Sequence, residues 1–152
     1  ALMHSRPKNR VKIQTIPEFI MWVDGRRLSL SGKKQELLAL LVDRGEAGLT
    51  TGEAIACLWQ ERRADEKTQT LYRVTFYQLM DELKKNGIED IICSDEKSKY
   101  LVKDMVECDL YNILDGDAEA LKKYGGYYLK EYSWSETRNG QLSSMKKAIR
   151  KL

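Results

Sequence analysis

The sequence predicts an α+β fold: a short antiparallel sheet, then three helices, a β-hairpin and a small helical extension. Three observations predict it. Between Val11 and Leu30, short apolar runs are broken by Pro17 and by Asp24-Gly25, the punctuation of strands and of a tight turn. From Ser31 to Asn86 apolar residues recur at intervals of three and four, which lines them along single faces of helices. Beyond Asn86-Gly87 two β-type runs return, separated by the polar Asp95-Glu96-Lys97-Ser98.

The first ten residues, Ala1 to Arg10, have no periodicity and carry Pro7 and several basic side chains. They are expected to be a disordered linker to something upstream. Strands are expected at Val11–Gln14, Phe19–Val23 and Arg27–Leu30, the last two joined by the Asp24-Gly25 turn into an antiparallel meander. Ser31 is placed to cap a helix running to about Arg44, with Leu37, Leu38, Leu40 and Leu41 as its apolar stripe and Gly45 at its end. Thr50 or Thr51 caps a second helix with the stripe Ile55, Leu58 and Trp59, and Glu53 completes the pattern of a capping box. The charged loop Gln60 to Asp65 follows and contains Arg62 and Arg63.

The longest periodic stretch is residues 66–86, EKTQTLYRVTFYQLMDELKKN. Tyr72, Phe76, Leu79 and Leu83 fall on one side of it and are expected to meet the core. Thr70, Arg73, Val74, Tyr77 and Asp81 lie opposite, flanked by Gln78 and Lys84. Such a mixture can hydrogen-bond, stack and touch methyl groups, as the floor of a DNA major groove requires. Equally, it describes a helix with its polar side in water. Three helices with the last one longest and joined by a short loop form the helix-turn-helix order, in which the final helix reads DNA. The hairpin spanning residues 91–102 then stands as a wing, with Lys97 and Lys99 able to reach phosphate and Asp95 and Glu96 opposing them.

Past Met105 the pattern is a strand end running into a short helix, then a helix from Ala118 capped by Asp117 and broken at Gly125-Gly126. Tyr124, Tyr127, Tyr128, Tyr132 and Trp134 cluster there, a composition expected of a small helical core rather than of base stacking. Ser133 or Ser135 is expected to cap a last helix, Glu136 to Leu152, whose basic end suits the macrodipole. The domain boundaries expected are 1–10 linker, 11–104 winged helix and 105–152 helical extension.

Composition limits function. The 152 residues, 42% hydrophobic, are enough for one main core. A net charge of +3, with 32% of residues charged, permits a polyanionic partner without requiring one. The sequence contains no apolar run near the ~20 residues that cross a bilayer and no signal-peptide core near its start, so a cytoplasmic protein with no membrane partner is expected. Cys57, Cys93 and Cys108 are odd in number and widely spaced, and His4 has no neighbouring ligands, so neither a disulfide framework nor a metal site is expected. No cofactor is called for either. There is no glycine-rich phosphate loop, no serine elbow and no histidine beside a nucleophile, and Gly125-Gly126 lacks the following Lys-Ser/Thr. The chain does not read as an enzyme.

The order and spacing of Leu37-Leu38, Leu49-Thr50 with Glu53, Leu58-Trp59, the ladder Val74, Phe76, Leu79, Leu83, and Tyr100-Leu101 resemble the OmpR-type winged helix of bacterial response regulators. The continuation, Val106 to Tyr111, Gly116 to Ala120 and Gly126-Tyr127-Tyr128, resembles the start of the helical activation domain that follows such a winged helix in antibiotic-regulatory-protein-type activators. The short version of this pair in Firmicute response regulators is nearest. This resemblance implies a two-component transcription factor whose receiver domain, normally upstream, is absent from this chain. It implies double-stranded DNA as partner, with helix 66–86 in the major groove and the wing near the minor groove. It further implies a homodimer on paired half-sites and an RNA polymerase contact through the loop bearing Arg62 and Arg63. One departure matters: a basic run usual in that family is replaced by Gln78-Leu79-Met80-Asp81-Glu82-Leu83, leaving residues 66–86 at a net +1.

On the leading reading Arg73 meets a guanine edge or a phosphate, Thr70 and Gln78 meet bases or phosphates, and Val74 lies on the same face. Tyr77 meets a phosphate, and Lys67, Lys84, Lys97 and Lys99 act as positioning charges. The alternative is a degenerate winged helix serving as a protein interaction module, which the acids at Asp81, Glu82, Asp95 and Glu96 favour.

Overall fold

A computed structural model describes residues 10–150. Three strands, β1 (Val11–Gln14), β2 (Ile20–Val23) and β3 (Arg26–Arg27), form the expected antiparallel meander, with Val11 opposite Val23 and Ile13 opposite Met21. The turn between β2 and β3 has positive φ at Asp24 (51°) and Gly25 (81°), the pairing that a two-residue hairpin loop with matching twist requires. β3 is shorter than expected, because Leu30 leaves the sheet to enter the core.

Helix α1 (Gly32–Arg44) buries Leu37, Leu38, Leu40 and Leu41 and stops at Gly45, whose φ of 58° suits glycine. Ser31 precedes it in extended conformation but makes no side-chain cap. A short β4 (Leu49–Thr50) leads into α2 (Thr51–Leu58) through the capping box: Glu53 N donates to Thr50 Oγ1 (3.2 Å) and Thr50 N donates to Glu53 Oε1 (2.9 Å). Helix α3 (Glu66–Lys85) crosses α1 and α2, and Gly87 at φ 70° ends its path. Strands β5 (Ile92–Ser94) and β6 (Ser98–Leu101) make the wing, and β4 joins it in a three-stranded sheet of order β4-β6-β5. The fold is a winged helix-turn-helix with a helical extension, α+β in class.

Two features differ from expectation. The strand end expected past Met105 is β7 (Glu107–Cys108), but it pairs in parallel with β1, so the meander becomes a four-stranded sheet of order β3-β2-β1-β7. Arg10, expected in the linker, is fixed: its guanidinium donates twice to Asp24 (2.9 and 3.0 Å) and to the carbonyls of Asn86 (3.5 Å) and Gly87 (3.2 Å) at the end of α3. The remainder of the expected linker, residues 1–9, and the expected end of the last helix, residues 151–152, lie outside the described residues.

The extension comprises α4 (Asp109–Leu114), α5 (Ala118–Lys122) and α6 (Glu136–Arg150). Asp117 caps α5 as its position suggests, accepting from Glu119 N and Ala120 N. Ser133–Ser135 forms a 3-10 turn before α6, and the Ser135 hydroxyl donates to Tyr132 O instead of capping. Tyr124 and Tyr128 are buried and Tyr132 stacks on Trp134 at 5.3 Å, as a small core requires, while Tyr127 is exposed. Side chains of the extension reach deep into the winged helix. The Asp109 carboxylate accepts from Thr15 N (2.9 Å), Thr15 Oγ1 (2.6 Å) and Ile16 N (3.1 Å). Tyr111 OH donates to Val42 O (2.6 Å), Tyr128 OH to Asp43 Oδ1 (2.6 Å), and Arg138 Nε to the same oxygen (3.2 Å). No helix among the described residues is long and apolar enough to cross a membrane.

Candidate nucleic-acid interface

Helix α3 is anchored before it is displayed. Asp65 caps it, accepting from Thr68 N and Thr68 Oγ1 (both 3.0 Å), and these bonds hold the Asp65 carboxyl below its usual range. The side facing α1 and α2 buries Thr68, Tyr72, Thr75, Leu79 and Leu83. Phe76, expected on that side, is half-buried instead. The wing explains its place: Lys99 Nζ on β6 lies 4.8 Å from the Phe76 ring centroid, a cation–π contact that pins the hairpin to the helix. The core side is therefore rotated toward Thr75, a position that hydrophobicity alone does not mark.

The opposite side of α3 is open. Lys67, Thr70, Arg73, Val74, Tyr77, Gln78 and Lys84 are all exposed. Among the described residues none of Lys67, Arg73, Lys84 or Lys97 is in an ion pair; the pairs that involve α3 are Lys34–Glu82 and Lys85–Asp81. Arg73 is steadied by its own helix: its Nη2 donates to Thr70 Oγ1 (3.0 Å), and that hydroxyl donates to Glu66 O (3.0 Å). The Thr70 hydroxyl thus bonds within its own helix and steadies Arg73.

The acids that spoil the basic run are offset by geometry. Glu82 faces α1 and pairs with Lys34 (3.3 Å), and Asp81 pairs with Lys85 one turn on (3.2 Å). At the wing tip Asp95 turns its carboxylate into the loop, accepting from Lys97 N (2.9 Å), Ser98 N (2.9 Å) and Ser98 Oγ (3.2 Å), bonds that hold it ionised below the ordinary range. Lys97 is left exposed at the tip, while Lys99 is half-buried over Phe76 and so is less available to phosphate than expected.

In the loop before α3, Arg62 Nε donates to Thr68 Oγ1 (3.3 Å) and Arg63 points to solvent. The cap at Asp65, the Arg10 clamp and the Lys34 partner of Glu82 are the contributors that sequence reasoning missed. Only Asp65 carried a local signal, standing as an N-cap residue three positions before Thr68. Cys57 and Cys93 are half-buried and Cys108 is fully buried; burial raises the Cys57 thiol and pushes the Cys108 thiol well up, so neither is a ready nucleophile.

No family model matches the chain, and no curated protein does. A solved structure does match: EmbR of Mycobacterium tuberculosis, determined in complex with a low-affinity phosphopeptide, superposes with a TM-score of 0.71 at 18% identity. The likeness covers 93% of this chain and 44% of that one, so this chain spans under half the length of EmbR. It is a likeness of fold, and at 93% coverage it runs through the helical extension as well as the winged helix.

Proposed function

We propose that this chain is the DNA-binding effector unit of a bacterial transcriptional regulator of the OmpR type. Helix α3 lies in the major groove of double-stranded DNA and the wing lies near the minor groove. Residues 11–104 form the reading unit, and residues 105–152 form an activation-domain-like extension. The observation that carries this reading is the outward side of α3, where every reading residue singled out from the sequence is exposed and the wing is fixed beside it through Lys99 and Phe76. The pairing of Asp81 and Glu82 with lysines removes much of the repulsion that two free carboxylates would bring to phosphate. Arg62 and Arg63 lie on the loop that would face RNA polymerase, an upstream receiver domain would supply the signal, and a cytoplasmic homodimer would occupy paired half-sites.

A second reading rests on one observation of its own: the outward side of α3 exposes Leu71, Val74 and Tyr77, apolar enough to meet a protein. Titrating labelled DNA from upstream of the gene at two salt concentrations separates them. Tight, sequence-dependent binding that weakens with salt is the expected result. Absence of binding even at low salt moves the chain to the interaction-module reading.

A further inference from the structure

Five large apolar side chains stand exposed among the described residues, and three of them, Leu71, Val74 and Tyr77, lie on α3 at 38, 48 and 73% exposure. Their spacing of three sets each beside the next in a row that turns about 60° per step, so Val74 and Tyr77 face outward and Leu71 lies at the flank. Thr70 borders the stripe with its hydroxyl already committed to Glu66 O and Arg73, so the group it has left to offer is its methyl. Cations edge this stripe, with Lys67, Arg73 and Lys84 outside ion pairs.

A second copy of the chain fits this surface poorly. Two such helices meeting in parallel along the stripe would set Lys67, Arg73 and Lys84 against their own counterparts, whereas a polyanion satisfies all three. Within a polyanionic duplex the apolar feature a helix meets in the major groove is the C5 methyl of thymine; the other bases present hydrogen-bonding groups there. Residues three apart on a helix are separated by about 4.5 Å along its axis, close enough for neighbouring side chains of the row to meet methyls of nearby base pairs.

We propose that Leu71, Val74, Tyr77 and the Thr70 methyl group read thymine methyls, so that the preferred sites place thymines beneath the middle of α3 while Arg73 and Lys67 hold the flanks. The proposal rests on the DNA-reading function above and specifies what that reading recognises. With few cations in the stripe, discrimination comes from apolar contact more than from hydrogen bonding to guanine.

The test enriches a random duplex library on the whole chain at low salt, then replaces thymine by uracil, which pairs alike but lacks the methyl, at each position of the enriched site. Enrichment of thymine is expected, with affinity falling about three- to five-fold for each contacted methyl removed, the scale of burying one methyl-sized group. Val74→Ala, at an exposed position, is expected to bind thymine and uracil duplexes at its site with equal affinity. Equal binding of thymine and uracil duplexes by the unaltered chain overturns the methyl reading and leaves DNA binding standing. If no duplex is enriched at low salt, the DNA-reading function itself falls and this proposal with it.

Discussion

Arg73 is the side chain whose replacement reports most directly on the interface. Its guanidinium is exposed and pre-oriented by Thr70, so Arg73→Ala removes a positioned donor without disturbing the core. On a cognate duplex the expected loss is about 1 to 3 kcal/mol with relaxed preference at one base position, measured by anisotropy titration. Lys84→Ala should act differently. It is expected to weaken binding to all sequences alike and to lower the slope of log affinity against log salt by about 0.9 for the phosphate lost. At the same scale, Tyr128→Phe tests the buried junction with Asp43, where burial and then the neighbouring carboxylate push the phenol well up. Removing that hydroxyl should cost about 1.5 to 3 kcal/mol of stability, the range for a hydrogen bond to a charged group, read by urea denaturation.

Among the elements, α2 shows how a local motif places the helix-turn-helix. The Thr50–Glu53 box satisfies donors that would otherwise be orphaned at its first turn, and Thr50→Ala should cost about 1 kcal/mol in the same denaturation experiment. The Thr50 amide holds the Glu53 carboxyl below its ordinary value of 4.5. With a depressed folded value, this contribution is fully present above 4.5 and fades as pH falls through the lower folded value. The stability difference between the native chain and Glu53→Gln, followed by urea denaturation across pH, should therefore narrow only in the acid range below about pH 4. Helix α3 depends on its own cap, Asp65, and on contacts from farther away: Lys34 beside Glu82, Lys99 over Phe76 and Arg10 on the carbonyls just past its end. Three separate segments thus help fix the angle at which its outer side is presented.

For the whole molecule the extension is the decisive part. β7 completes the first sheet, Asp109 takes the amides of Thr15 and Ile16, and Val106, Cys108, Leu110, Tyr111 and Ile113 lie in the same buried cluster as α1. A chain ending at Asp104 would expose that apolar surface and lose the bonds from the Thr15 and Ile16 amides to the Asp109 carboxylate, each worth about 1.5 to 3 kcal/mol as a bond to a charged group. Such a chain is expected to lose cooperative unfolding, whereas the full chain should unfold in one urea transition by both circular dichroism and tryptophan fluorescence. A stable, cooperative 1–104 fragment would show instead that the two parts fold separately.

Features whose cause lies within three or four residues were legible in the order of amino acids. The Asp24-Gly25 turn, the capping box at Thr50, the stop at Gly45 and the period of α3 each follow from backbone sterics or from hydrogen bonds between near neighbours. The exposure of Arg73, Val74 and Tyr77 followed from that same period. Tertiary structure alone decided what joins distant segments. The sequence marks Phe76 and passes over Thr75, yet Phe76 is half-buried beneath Lys99 of the wing and Thr75 faces the core. It gives no sign that Glu107-Cys108 pairs with Lys12-Ile13, or that Asp109 reaches across 94 positions to Thr15. Two-residue strands and single carboxylates have no periodicity to detect. Their partners are chosen by which surfaces remain open once the helices have packed.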